Sequence, residues 1–172
     1  MAAPPNDRCV DATLLDADIR VSADNNDANY DFRNQAVCGA RSDRRGIWYK
    51  IVGDGGLTTV RVCTESDKVV NFGVFSQCNN NDNAAACVAT PPNADNDTVF
   101  KCGEGAAEVS FDSTEGTPYY VNIRAEHDAE TLGSGFTVVY SVAEPEEDDD
   151  SPAASSSSLF ALAASGLAMF WL

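Results

Sequence analysis

Residues 46–63 read GIWYKIV, then GDGG, then LTTVRVC, and the fold follows from their period. Ile47, Tyr49 and Ile51 alternate onto one face of the first seven residues, as a strand packed on one side requires. Gly53-Asp54-Gly55-Gly56 is a turn, and residues 57–63 read as a second strand, so the stretch predicts a β-hairpin. Trp48 falls on the face opposite Ile47 and Tyr49, where it either fills a second layer of core or offers an exposed aromatic platform for a ligand. Core packing is the expectation, because a large aromatic in a central strand usually buries its area.

The same period recurs along the chain. Residues 68–75, 86–89, 108–111, 119–124 and 136–142 are short runs bounded by Gly, Asn, Asp or Pro. Val70, Phe72 and Val74 share a face, as do Tyr119, Val121 and Ile123, and likewise Phe136, Val138, Tyr140 and Val142. Gly116 ahead of Thr117-Pro118 suits a turn that delivers Tyr119 and Tyr120 onto opposite faces of the next strand, so one ring should be buried. Only residues 11–18 could form a short helix. Several short strands separated by turns argue for an all-β, antiparallel β-sandwich. At 172 residues and 44% hydrophobic content, the chain closes one core.

The charge divides the chain. There are 11 Lys and Arg against 27 Asp and Glu, a formal −16, and all the bases lie between Arg8 and Arg124. The longest basic cluster, Arg41, Arg44 and Arg45, is interrupted by Asp43, so nothing here would overcome the repulsion of a nucleic acid. Six acids fall in residues 144–150. Taking those six from 27 leaves 21 acids against 11 bases, so residues 1–143 still carry −10. The acidic run cannot bury enough apolar surface to offset its ordering entropy, which predicts a solvated, disordered stalk over 144–158, continued by its Ser-rich part.

Residues 159–172, LFALAASGLAMFWL, are uncharged. As a helix they span ~21 Å, short of the roughly 30 Å hydrocarbon core. Stalk, small residues, spacer and terminal apolar tail together resemble a glycosylphosphatidylinositol (GPI) attachment signal, with Asp149, Asp150 or Ser151 as the lipid-attachment candidates. Pro152 disfavours Ser151. The alternatives are a retained single-pass helix or a C-terminal core helix.

Six cysteines, Cys9, Cys38, Cys63, Cys78, Cys87 and Cys102, all lie in residues 6–143. No CxxC pair occurs and His127 is the one histidine, so zinc-finger and thioredoxin-like spacings are absent. An even count in an acidic small domain fits disulfides and an oxidising, extracellular setting. Asn96-Asp97-Thr98 is an N-glycosylation acceptor triplet in a polar stretch. The segment MAAPPNDRC lacks the apolar run of a secretory signal, so the expectation is that further residues precede Met1 in the native chain.

A series of short motifs adds to this reading. Asn6-Asp7-x-Cys9-x-x-Ala12, Cys38, Arg45-Gly46-Ile47-Trp48-Tyr49, Val62-Cys63, Phe72-Gly73-Val74-Phe75-Ser76-Gln77-Cys78, Ala86-Cys87-Val88, Cys102-Gly103, Gly116-Thr117-Pro118-Tyr119-Tyr120-Val121 and Gly135-Phe136-Thr137 follow in that order. Together they resemble the bacterial pre-peptidase C-terminal (PPC) domain, in its cysteine-rich version from secreted and surface proteins. The resemblance spans about residues 6–142. It implies a jelly-roll-like sandwich that acts as an accessory, non-catalytic module, and a disulfide layout of Cys9–Cys38, Cys63–Cys102 and Cys78–Cys87.

Catalytic motifs are missing. His127 sits between acids in a loop, no GxSxG nucleophile elbow and no glycine-rich phosphate loop occur, and the cysteines are accounted for as pairs. A calcium ion is the one cofactor with candidate ligands, in Asn79-Asn80-Asn81-Asp82-Asn83 and Asp95-Asn96-Asp97. These fail the EF-hand pattern at Ala84 and Thr90, and turn-forming Asn and Asp is the simpler account. The sequence therefore predicts a non-enzymatic, membrane-anchored surface module that binds polysaccharide or another surface protein. The alternatives are an accessory domain of a longer secreted peptidase or hydrolase, or a single-pass membrane protein.

Overall fold

The computed structural model describes residues 3–28, 38, 46–65, 69–78, 86–92, 101–125 and 134–143. Among them are a 3-10 turn, Cys9–Asp11, and nine strands: β1 Thr13–Leu14, β2 Val21–Asp24, β3 Gly46–Val52, β4 Leu57–Thr64, β5 Val70–Phe75, β6 Cys87–Ala89, β7 Ala107–Asp112, β8 Pro118–Ala125 and β9 Ser134–Val142. They form a five-stranded sheet in the order β1-β3-β8-β5-β6 and a four-stranded sheet in the order β2-β9-β4-β7. The fold is an all-β sandwich, as the strand periods predict. Among the described residues the strand pairings are antiparallel except β1 with β3, which runs parallel over two residues, and the isolated bridge between Thr64 and Lys101 is also parallel.

The predicted hairpin does not form. β3 and β4 are consecutive, yet β3 pairs with β8 over seven residue pairs while β4 pairs with β7 and β9. Residues 53–56 cross from one sheet to the other. The crossing sets Ile47, Tyr49 and Ile51 of β3 and Val60 and Val62 of β4 against one core from opposing layers. Residues 113–117 make the mirror crossing from β7 to β8, and the two crossings are tied together. Gly53 N–H donates to Thr117 O at 2.9 Å, Gly116 N–H to Gly53 O at 2.8 Å, and Ser113 N–H to Gly56 O at 2.9 Å. The Ser113 hydroxyl also donates to Gly56 O at 3.0 Å, and the Thr114 N–H donates to the Tyr119 hydroxyl at 2.9 Å.

Between the sheets lies the main core, with Phe72, Val74, Val121 and Ile123 from one layer and Val60, Val62, Phe136 and Val138 from the other, all fully buried. Burying side chains of this size contributes ~1.5–3 kcal/mol each. Phe111 packs on Tyr119 across the layers with ring centroids 4.9 Å apart.

The predicted strand runs shift by a residue or two at their ends; Lys68, at the start of one, lies outside the described residues. β1 and β2 were not foreseen. In place of a helix over 11–18 the chain makes the 3-10 turn and then β1, since so short a segment cannot repay helix nucleation and its backbone bonds instead to β3, with Leu15 N–H on Lys50 O at 2.9 Å. Among the described residues no helix is long and apolar enough to cross a membrane. The stalk and the tail over 159–172 lie outside them.

Candidate binding surfaces

The two outer faces of the sandwich differ. On the five-stranded sheet the register aligns outward residues in rows: Gly46, Arg124 and Asn71; Trp48, Asn122 and Gly73; Lys50, Tyr120 and Phe75. Most of these are buried, including Arg124, Asn71 and Asn122. This face carries a second small core of Trp48, Phe75 and Cys38, with Cys9, Ala12 and Tyr120 packed against it. Trp48 is 1% exposed, its ring centroid 5.4 Å from that of Phe75. The tryptophan is therefore core, and of the two tyrosines the inner one, Tyr119, is buried in the main core while Tyr120 is partly buried on the outer side.

Residues 3–12 and Cys38 clad this face. Residues 3–12 run past the edge of β3, where Asn6 brackets the backbone of Trp48: Trp48 N–H donates to Asn6 O at 2.8 Å and Asn6 Nδ2 donates to Trp48 O at 3.0 Å. The Asn6 side chain also bonds the Tyr49 hydroxyl, whose pKa is nonetheless pushed up to about 12, chiefly by burial and further by the nearby Asp24 carboxylate. Cys9 then bridges to Cys78. Cys38 lies over Gly73 and bridges to Cys87. The Asn6-x-x-Cys9-x-x-Ala12 motif thus holds the cladding in place.

These bridges correct the pairing implied by the resemblance. Cys9 joins Cys78 (Cα–Cα 5.7 Å) and Cys38 joins Cys87 (5.1 Å), in place of Cys9–Cys38 and Cys78–Cys87; Cys63 joins Cys102 (5.0 Å) as implied. The ladder explains the exchange. β5 and β6 pair with Phe75 opposite Cys87, so Cys78, three residues beyond Phe75, has left the register by the time it could meet Cys87. Both outer-layer bridges fasten cladding to the sheet instead of closing the loop over 79–86.

The four-stranded sheet is polar outside. Its outward positions follow the alternation of β4 and β7, and the register sets Ser110, Thr59 and Ser141 in one row, Glu108, Arg61 and Val139 in the next, and Cys63, Thr137 and Ser22 beyond. Thr59 Oγ1 and Ser110 Oγ share a hydrogen bond at 2.8 Å, and Arg61 pairs with Glu108. A shallow groove opens elsewhere, between Pro4, Pro5 and Asn6 of the N-terminal segment and Ala23, Asp24, Asn26 and Asp27 at the end of β2. Asn26 N–H donates to Asp24 Oδ1 at 3.1 Å, and Asp27 has φ +62°. Among the described residues no group of three or more His, Cys, Asp or Glu is placed to hold a metal ion.

Several predicted positions lie outside the described residues: Asn96, His127, Asp149, Asp150, Ser151, the basic cluster Arg41, Arg44 and Arg45, and the calcium candidates over 79–83 and 95–97. Sequence reasoning expected Trp48 in a second layer of core, as found, but did not identify what covers that face. Its signal was the content of the outward strand positions, where Gly46, Trp48, Asn71, Gly73 and Asn122 stand in place of the charged residues of a solvated face.

No protein-family model matches the chain, and no curated protein matches it. Among solved structures it is similar to the pre-peptidase C-terminal domain of a collagenase from Bacillus anthracis, at 12% identity and a TM-score of 0.42, covering 75% of this chain and 93% of that one. It is also similar to CorA, a surface-associated copper-binding protein of Methylomicrobium album BG8, at 11% identity and a TM-score of 0.42, covering 77% of this chain and 98% of that one. The first carries the same domain name as the family that the sequence motifs resemble. Likeness at this level assigns this chain neither ligand nor activity.

Proposed function

We propose that the chain is a non-catalytic, extracellular binding module on a PPC-like sandwich, tethered to the cell surface through its C-terminal segment, with an uncharged polysaccharide as its partner. One observation carries the choice of surface: the outer face of the five-stranded sheet is clad, while that of the four-stranded sheet presents Ser22, Thr59, Ser110, Thr137 and Ser141 around the Arg61–Glu108 pair. Hydroxyls on a pleated sheet repeat at ~4.8 Å across strands, a spacing suited to hydrogen-bonding an extended glycan. The formal charge of −16 disfavours acidic polymers and leaves neutral ones. Six cysteines closed into three bridges support an oxidising compartment.

The test is retention on insoluble neutral cell-wall polysaccharide, comparing the wild-type chain with a Thr59→Ala, Arg61→Ala, Ser110→Ala variant. All three side chains point outward, so the variant should fold normally and lose retention. Equal retention of both proteins would reject this face, and no retention of either would reject the partner. The tether is tested on intact cells: phosphatidylinositol-specific phospholipase should release the protein, and resistance would favour a retained helix.

A further inference from the structure

We infer that residues 3–12 form a redox-releasable strap, and that reducing the Cys9–Cys78 bridge uncovers the aromatic face of Trp48 and Phe75 while the sandwich beneath stays folded. The inference rests on how the two cores are closed. The main core is sealed by both sheets, through ladders of seven pairs between β3 and β8 and seven between β4 and β9. The outer cluster is sealed from above by segments outside those ladders, and Cys9 and Ala12 of the strap pack directly on it.

The described contacts of the strap include the two hydrogen bonds between Asn6 and the Trp48 backbone, the bond from Asn6 to Tyr49, the short pairing of β1 that follows and the bridge to Cys78, with Asn6 and Asp7 both buried, and these lie outside the β3–β8 and β4–β9 ladders. Cys9 is the one cysteine in residues 3–12, so breaking its bridge leaves the strap held by hydrogen bonds and packing alone. Trp48 reports on release directly, because its backbone N–H bonds to Asn6 O and its side chain belongs to the cluster on which Cys9 and Ala12 pack.

The chemistry needs a reductant, and a dithiol supplies it. One thiolate attacks a sulfur of the Cys9–Cys78 bridge and expels the other as thiolate. The second thiol of the reagent then displaces the remaining cysteine, leaving the reagent oxidised to its own disulfide. Two electrons and two protons pass to Cys9 and Cys78, which end as free thiols.

The experiment is site-resolved hydrogen exchange with parallel tryptophan fluorescence. It uses full-length Trp171→Phe protein, in which Trp48 is the sole emitter, with and without Cys9→Ser and Cys78→Ser, together with the bridged protein under graded dithiol. Loss of the bridge should speed exchange of the Trp48 amide by about a hundredfold and shift its emission to the red, leaving Val60, Val62 and Val138 amides protected. Alkylation mapping assigns each thiol freed by the dithiol. Two results would overturn the inference. In one, Val60 and Val62 lose protection together with Trp48, or the variant fails to fold, which makes the strap part of a single cooperative unit. In the other, Trp48 keeps both its protection and its emission after the bridge is gone.

Discussion

A Cβ placed on Gly73 would stand 2.8 Å from the Cβ of Cys38, and 3.3 Å from its sulfur. Gly73 lies on the outward row of β5 beside Asn122 of β8 and has ordinary extended backbone, so the glycine is required here by close approach and not by its dihedrals. The absence of a side chain lets Cys38 settle on the sheet and reach Cys87. Gly73→Ala should therefore overpack this contact and cost ~1–3 kcal/mol in urea unfolding. Gly56→Ala is the control. A Cβ there meets no atom nearer than 3.7 Å and the backbone is not left-handed, so its unfolding free energy should stay within ~0.5 kcal/mol of the wild type. Equal effects of the two substitutions would show that the Cys38 contact imposes no steric limit.

Asn6 makes a sharper prediction, because its amide both donates to Trp48 O and bonds the Tyr49 hydroxyl while being 7% exposed. Asn6→Asp keeps the shape, removes the donor and sets a carboxylate against the Trp48 carbonyl. The loss should be ~1–3 kcal/mol near neutral pH. It should shrink as acid protonates the carboxyl and restores a donor, which thermal melts across the carboxylate range would reveal. A pH-independent loss would mean that Asn6 acts through packing alone.

What the sequence could and could not disclose follows from the range of the interactions involved. Alternation along 57–64 and 107–112 is a local signal of one-sided burial, and those strands appear close to where the pattern put them. β3 and β5 also have their alternating apolar set in place, but their second faces are buried too, with Cys9, Ala12 and Cys38, far away in sequence, packed in the outer cluster. The false hairpin at 53–56 has the same origin. A Gly-Asp-Gly-Gly turn specifies a reversal, and a reversal within one sheet and a crossing between two look alike until β8 and β9, some 60 to 80 residues on, claim the two strands. The disulfide pairing needed three-dimensional register for the same reason, and the hydroxyl face needed all four strands in order.

Peptide mapping without reduction is expected to yield Cys9 linked to Cys78, Cys38 to Cys87 and Cys63 to Cys102. Cleavage must fall between Cys78 and Cys87, so that each emerges on a different peptide. The third bridge spans 39 positions and joins β4 to the segment ahead of β7, where Cys102 N–H donates to Thr64 O at 2.9 Å. Replacing both Cys63 and Cys102 by Ser should cost ~3–4 kcal/mol through the larger unfolded ensemble. A peptide linking Cys78 to Cys87 would contradict the β5–β6 register.

Tyr49 sets an alkaline limit on stability. Its hydroxyl is buried, with Asp24 nearby, and burial first and then that carboxylate push its pKa up to about 12, against the lowering influence of the Asn6 hydrogen bond. A tyrosine in the unfolded chain ionises near pH 10. The folded state therefore favours the protonated form, and the resulting stability is fully present below about pH 10 and lost as pH rises through about 12. Two pKa units correspond to ~2–3 kcal/mol. Tyr140 adds to the trend in the same direction, through burial and then the charges of Asp16, Asp54 and Asp18. Denaturant unfolding at stepped alkaline pH should thus show stability falling across this window, and Tyr49→Phe should flatten the fall without abolishing it. The wild-type chain should also show one tyrosine absorbance change that titrates late and vanishes in Tyr49→Phe. If the variant keeps the full wild-type slope, the Tyr49 hydroxyl ionises as readily in the folded protein as in the unfolded chain.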